Sequence, residues 1–168
     1  MWWRYDMNFV DELNSPKQFN PDEKERRQNK YVNEVISFIM SECRSHKEDH
    51  ILEGEYESCS DYTIISRRKK SEIATKTCRR LIGKLPNDSE KARAEEYQRE
   101  YLYYNNPQEL KAKLSDEIKK LGFTDFEVDF IRRDEYWVQE NRTFFGSFKE
   151  NEISTGRYHY VLYLRLKW

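Results

Sequence analysis

Glycine and proline are scarce in this 168-residue chain, at five and four residues. Their scarcity excludes collagen-like and Pro/Gly-rich low-complexity architectures, and no Gly-rich loop of the kind that cradles a nucleotide phosphate is present. Cysteine is equally thin. Cys43, Cys59 and Cys78 form an odd, scattered set without a C-x-x-C pair, which speaks against a disulfide framework and for reduced thiols in a cytosol-like compartment. Only three histidines are present, and no G-x-S-x-G elbow. No window approaches 18 apolar residues, so no transmembrane helix is expected. The opening stretch MWWRYDMNFVDEL lacks a basic region followed by an apolar run and reads as no signal peptide. These absences lead to an expectation of a cytoplasmic protein, more a binder than an enzyme, with no cofactor, no metal, no membrane partner and no evident small-molecule substrate.

Charge and aromatic rings are what the chain has in quantity. Charged residues make up 36% and aromatics 15%. So polar a composition would fit a disordered chain, but disordered chains are poor in rings, and each ring can remove roughly 150–250 Å² from water. A folded protein follows. The length predicts a single domain over 1–168, with the aromatic but aperiodic residues 1–19 packed on it as an arm.

Asn20-Pro21-Asp22-Glu23 has the form of a helix start: a capping side chain, proline in the first turn, then acids at the positive end of the dipole. Val32, Val35, Ile36, Ile39, Met40 and Cys43 continue it as an apolar stripe. Two extended pieces, 51–57 and 62–66, joined by Ser58-Cys59-Ser60-Asp61, predict a hairpin. A second helix is expected from a cap at Asp88 or Ser89 to about Tyr104. A third begins at Asn106-Pro107, carries Leu110, Leu114, Ile118 and Leu121 inward, and stops at Gly122. The remainder alternates with period two through Phe126, Val128 and Phe130, an extended 136–138 piece, and a last strand bearing Tyr158, Tyr160, Leu162, Leu164 and Leu166. The predicted fold is α+β, several helices packed on a small, mostly antiparallel sheet.

Between the hairpin and the second helix lies RRKKSEIATKTCRRLIGK, residues 67–84. Arg67, Arg68, Lys69, Lys70, Lys76, Arg79, Arg80 and Lys84 stand there against one acid, Glu72, although the whole chain carries −1. Ile73, Thr77, Leu81 and Leu85 share one helical face, so the spacing predicts an amphipathic helix over 71–84 with its cations on the outer side. Such a concentration of one sign points to an anionic partner, nucleic acid or a nucleoprotein assembly. Thr77 to Leu85 resembles the recognition helix of bacterial winged-helix regulators, which implies arginines directed at phosphates or guanine edges. The resemblance covers nine residues; the turn and first helix of that family are missing, and a helix is expected where its wing would be.

Other patterns carry weaker chemistry. Arg157-Tyr158-His159-Tyr160-Val161-Leu162-Tyr163 is similar to the aromatic strand of RNA-recognition domains, whose rings stack on unpaired bases, but Gly156 precedes the arginine instead of following it. The face shared with three leucines favours core burial of both tyrosines. Cys43-x-x-His46-x-x-x-His50, with Cys59, has zinc-compatible donors, but Cys43 completes the apolar stripe. Glu53, Glu55 and Glu57 share one strand face, and Asp125, Glu127 and Asp129 another. Facing each other, these ladders could hold Mg²⁺ for phosphodiester cleavage; alternating charge on a half-exposed strand explains them equally well. Tyr97, Tyr101 and Tyr104 form a helical stripe suited to a protein interface. The leading expectation is a non-enzymatic module that binds nucleic acid through the basic helix. The alternative is a protein–protein module, such as a small inhibitor or accessory subunit.

Overall fold

The computed structural model describes residues 19–58, 62–81, 84–142 and 148–168, and between 140 and 150 only the backbone of the strands. The arm expected over residues 1–18 and the turn carrying Cys59 lie outside the described residues.

Helix α1 (Pro21–Ser45) starts where its cap chemistry places it: the Asn20 side chain accepts from the backbone N–H groups of Asp22 and Glu23. A 3-10 turn (Lys47–Asp49) leads into strand β1 (Ile51–Ser58), which forms the expected hairpin with β2 (Thr63–Ser66). Another short 3-10 turn (Lys70–Glu72) precedes β3 (Lys76–Arg80). Helix α2 (Asp88–Tyr104) is capped by Asn87 through a reciprocal box with Glu90, one residue before the expected cap. Helix α3 (Pro107–Lys120) is capped by Asn106 and ends before Gly122, whose φ of 99° needs a glycine. Strands β4 (Asp125–Arg142) and β5 (Phe148–Lys167) complete the element order.

The strand order is β2-β1-β5-β4-β3, with every neighbouring pair antiparallel except β3–β4, which is parallel. The α+β class holds; the sheet is mixed and curled, so the small, mostly antiparallel sheet expected is only roughly matched. At 18 and 20 residues, β4 and β5 reach roughly 60 Å. The separate pieces expected at 126–130 and 136–138 belong to one continuous strand.

One face of this sheet carries the core. Val32, Val35 and Ile39 of α1 and Leu110, Leu114 and Ile118 of α3 pack on Leu52, Tyr56, Val128, Leu162, Leu164 and Leu166. Gln28, only 2% exposed, joins all three helices by donating to the Glu109 carboxylate and the Tyr104 carbonyl. Of the described helices, none is long and apolar enough to cross a membrane.

The helix expected over 71–84 is not formed. Residues 70–72 make a single 3-10 turn, and Lys76–Arg80 pairs with Asp134–Val138 as an edge strand. Of the supposed inner stripe, Ile73 is buried, Leu81 is half-buried and Leu85 is exposed. The i, i+4 spacing was therefore accidental. A ladder to a distant strand satisfies the same backbone groups, and nothing in the local pattern reveals it.

Candidate functional site

The polar face of the sheet brings the two acidic ladders together. Register aligns Glu55 of β1 with Tyr163 of β5 and Asp129 of β4, and in the next row Glu53 with Arg165 and Glu127. The chain between β2 and β3, residues 67–75, crosses this face as a strap anchored by the buried Ile73. Lys70 Nζ sits 2.7 Å from both Glu127 and Asp129. Tyr163 donates to Glu53 at 2.8 Å, and Arg165 lies 3.2 Å from Asp125 and 3.8 Å from Glu127. Arg133 donates to Glu55 and to the Ala74 carbonyl, both at 2.8 Å, tying β4, β1 and the strap into one knot.

Protonation follows from that interleaving. Hydrogen bonds to Asp129 and Glu127 hold the Lys70 ammonium well above the ordinary lysine range. Burial, reinforced by the Glu53 carboxylate, pushes the Tyr163 hydroxyl up to about 12. Burial also pushes the Asp129 carboxyl up, but the Lys70 ammonium and the Phe130 N–H outweigh it and leave it below its usual value. Every acid of the two ladders except the exposed Glu57 is thus matched by a cation or hydroxyl from the chain itself. Among the described residues no group of three or more His, Cys, Asp and Glu side chains is arranged to hold a metal. The ladders serve as the socket of the strap.

The eight cations of residues 67–84 separate into two sets. Lys70 belongs to the socket. The others are all exposed: Arg67, Arg68 and Lys69 at the β2 end of the strap, Lys76, Arg79 and Arg80 on β3, and Lys84 beyond it. Strand alternation puts Lys76 and Arg80 on one side of the edge and Arg79 on the other. Arg67 contacts Asp49 at 3.2 Å, Arg79 contacts Glu135 at 3.2 Å, and Lys76 pairs with Glu152 beneath the Tyr136 ring, whose centroid is 5.1 Å away. Among the described residues Arg68, Lys69 and Lys84 enter no ion pair. Arg132, Arg133 and Arg157 adjoin the β3 margin; the first two went unnoticed in the sequence and Arg157 was noted only as the head of the aromatic strand, since only the register of β4 and β5 brings them there. Arg132 lies 3.8 Å above the Tyr158 ring, and Arg157 pairs with Glu135 at 2.5 Å.

No protein family, curated protein or solved structure matches the chain. Function must be read from geometry alone.

The remaining candidates do not converge. Tyr97 is 65% exposed, whereas Tyr101 uses its hydroxyl to accept from the Tyr160 N–H and Tyr104 is buried at 8%. The tyrosine stripe is thus mostly structural, with one ring left outside. Cys43 packs against the core, His46 contacts Glu42 and Asp49, and His50 faces the Trp168 carbonyl, so the three potential zinc donors have separate surroundings. Tyr158 and Tyr160 are half-buried above the leucines and meet edge to face at 6.0 Å.

Proposed function

We propose that the protein is a non-enzymatic module that binds nucleic acid, alone or within a nucleoprotein, through the exposed cations of the strap and of β3. The observation that carries this reading is the set of exposed cations that runs from the strap, at Arg67, Arg68 and Lys69, to the edge strand β3 and just past it, at Lys76, Arg79, Arg80 and Lys84. An extended strand spaces such charges along a line, which suits a phosphate backbone better than a single compact anion. Arg79 meets the largely buried Glu135, whereas the pairs already made by Arg67 and Lys76 are exposed. Exposed pairs contribute about 0–1 kcal/mol each, so phosphates can take over these cations at small cost.

Fluorescence anisotropy with generic single- and double-stranded DNA and RNA tests the reading. Binding should weaken steeply with salt, with log K falling by about 0.7–0.9 per phosphate neutralised for each tenfold rise in salt. Charge reversal of Arg68, Lys69, Arg79 and Arg80 together should abolish binding while leaving the thermal transition in place. Absence of binding to all four probes at low salt would sink the proposal.

A further inference from the structure

A second surface lies on the opposite side of the β4–β5 pair from β3. β1 covers the outer edge of β5 only as far as Tyr56 opposite Leu162. Beyond it, α2 substitutes for a strand: the Gln98 side chain donates to the Tyr158 carbonyl at 2.9 Å and accepts from its N–H at 3.2 Å, and the Tyr101 hydroxyl accepts from the Tyr160 N–H. A bulge at Thr155–Arg157 follows, with Gly156 at φ 75° and its N–H closed onto the Ser154 hydroxyl.

Past the bulge the ladder resumes as Tyr136 opposite Ser154 and Val138 opposite Glu152. Val138 turns its carbonyl toward β3, where it accepts from the Leu81 N–H. Antiparallel alternation then directs the peptide groups of Ser154 and Glu152 away from β4, toward the open edge. No strand among the described residues occupies that edge. It borders a cleft of about 1060 Å³ walled by Lys91, Glu95 and Arg99 of α2, by Ser154 and Arg157 of β5, and by Trp137. Among the described residues Lys91 and Arg99 have no ion-pair partner.

We infer that this cleft binds an extended peptide of a partner protein, which adds a short strand to β5 at Glu152–Ser154. The occupant carries an apolar residue for Trp137 flanked by acids for Lys91 and Arg99. The unpaired edge demands an extended backbone, because only another strand satisfies alternating N–H and C=O groups at that spacing. Gln98 already makes this pair of bonds one step along the same edge. Lys91 and Arg99, without ion-pair partners among the described residues, are the positions that take the acids of the guest, with Glu90 and Glu95 lining the cleft between them. This surface faces the edge opposite β3, although Glu152 pairs with Lys76 and Arg157 shares Glu135 with Arg79.

The test uses a synthetic heptapeptide of alternating glutamate and valine around a central phenylalanine, titrated into the ¹⁵N-labelled full chain. The expected result is a saturable shift of the Glu152 and Ser154 amides. Binding should weaken at least tenfold when alternate peptide nitrogens are methylated, and again with Ser154→Pro, which removes one outward donor and which an edge strand tolerates. Lys91→Glu combined with Arg99→Glu should produce a similar loss. The N-methylated peptide keeps the test valid if Ser154→Pro fails to fold. Absence of shifts at these two amides with millimolar peptide overturns the inference, as does equal affinity for the methylated and unmethylated forms.

Discussion

Arg133 on β4 donates to Glu55 on β1 at 2.8 Å, reaching past the intervening strand β5. Arg133 is in register with His159 and Glu55 with Tyr163. In a flat sheet that offset would separate their Cα atoms by about 16 Å. The contact therefore reports a sheet curled toward its polar face, and it helps to hold the curl. Glu55 is 3% exposed and the arginine side chain 15%.

Breaking this pair from one side strands a buried charge. Arg133→Met should lower stability by about 3–5 kcal/mol, while the double change Arg133→Met with Glu55→Leu should recover most of the loss. Urea unfolding of the three proteins measures both effects. A single-mutant loss below about 1 kcal/mol would mean that water already screens the pair.

Lys70 fastens the strap and not the core. In Lys70→Met the carboxylates of Glu127 and Asp129 lose the ammonium between them, so the Asp129 carboxyl should move upward from its lowered position. The strap should loosen locally, because α1 and α3 pack on the other side of the sheet. Cleavage by trypsin after Arg67, Arg68 and Lys69 should accelerate several-fold, with the urea midpoint little changed. Unchanged cleavage would show that Ile73 and the Ala74 carbonyl hold the strap without the lysine.

Stability should depend on pH through His159. Burial, aided by the nearby Arg133 charge, lowers its pKa from the ordinary 6.5, with Glu135 and Glu55 opposing and Arg79 assisting. Between the folded value and 6.5 the unfolded chain binds more protons than the native one, so stability rises with pH across that window. It is fully present above 6.5 and is lost as the pH falls through the folded pKa. His159→Asn should flatten this slope. The paired acids Asp129 and Glu109, both lowered, leave a separate loss at more acidic pH in wild type and variant alike. An unchanged slope above pH 5 in the variant would assign the dependence to another group.

Helices α1 and α3 were legible because each carries its cap and its stripe within one continuous segment, and α3 its glycine stop as well. The β1–β2 hairpin was legible for the same local reason. β3 was not, because its parallel partner lies more than fifty residues later and the strand shows no alternation of its own. The acidic ladders could be read as faces able to meet, but not that β5 lies between them. Their filling by Lys70 and Arg133 could not be foreseen, since it depends on the curl of the sheet and the path of the strap. The charge of residues 67–84 was plain, but the division between socket and margin is a property of the fold. The open β5 edge had no signal beyond Gly156, which marks the bulge before it.

Gln98 offers the most direct check on how this edge is managed. Its amide closes both peptide groups of Tyr158, a position where an unpaired strand could otherwise accept another chain. Gln98→Leu leaves a donor and an acceptor unmatched, at a cost of about 1–3 kcal/mol for each group kept from water. The variant should relieve that cost by pairing edges between molecules, so sedimentation velocity should reveal association that grows with concentration and is absent in the wild type. Gln98→Glu keeps the acceptor for the Tyr158 N–H but loses the donor to its carbonyl, and two such edges would bring like charges together. It should be destabilised yet stay monomeric. A monomeric Gln98→Leu protein of unchanged stability would show that the α2 backbone, and not the amide, guards the strand.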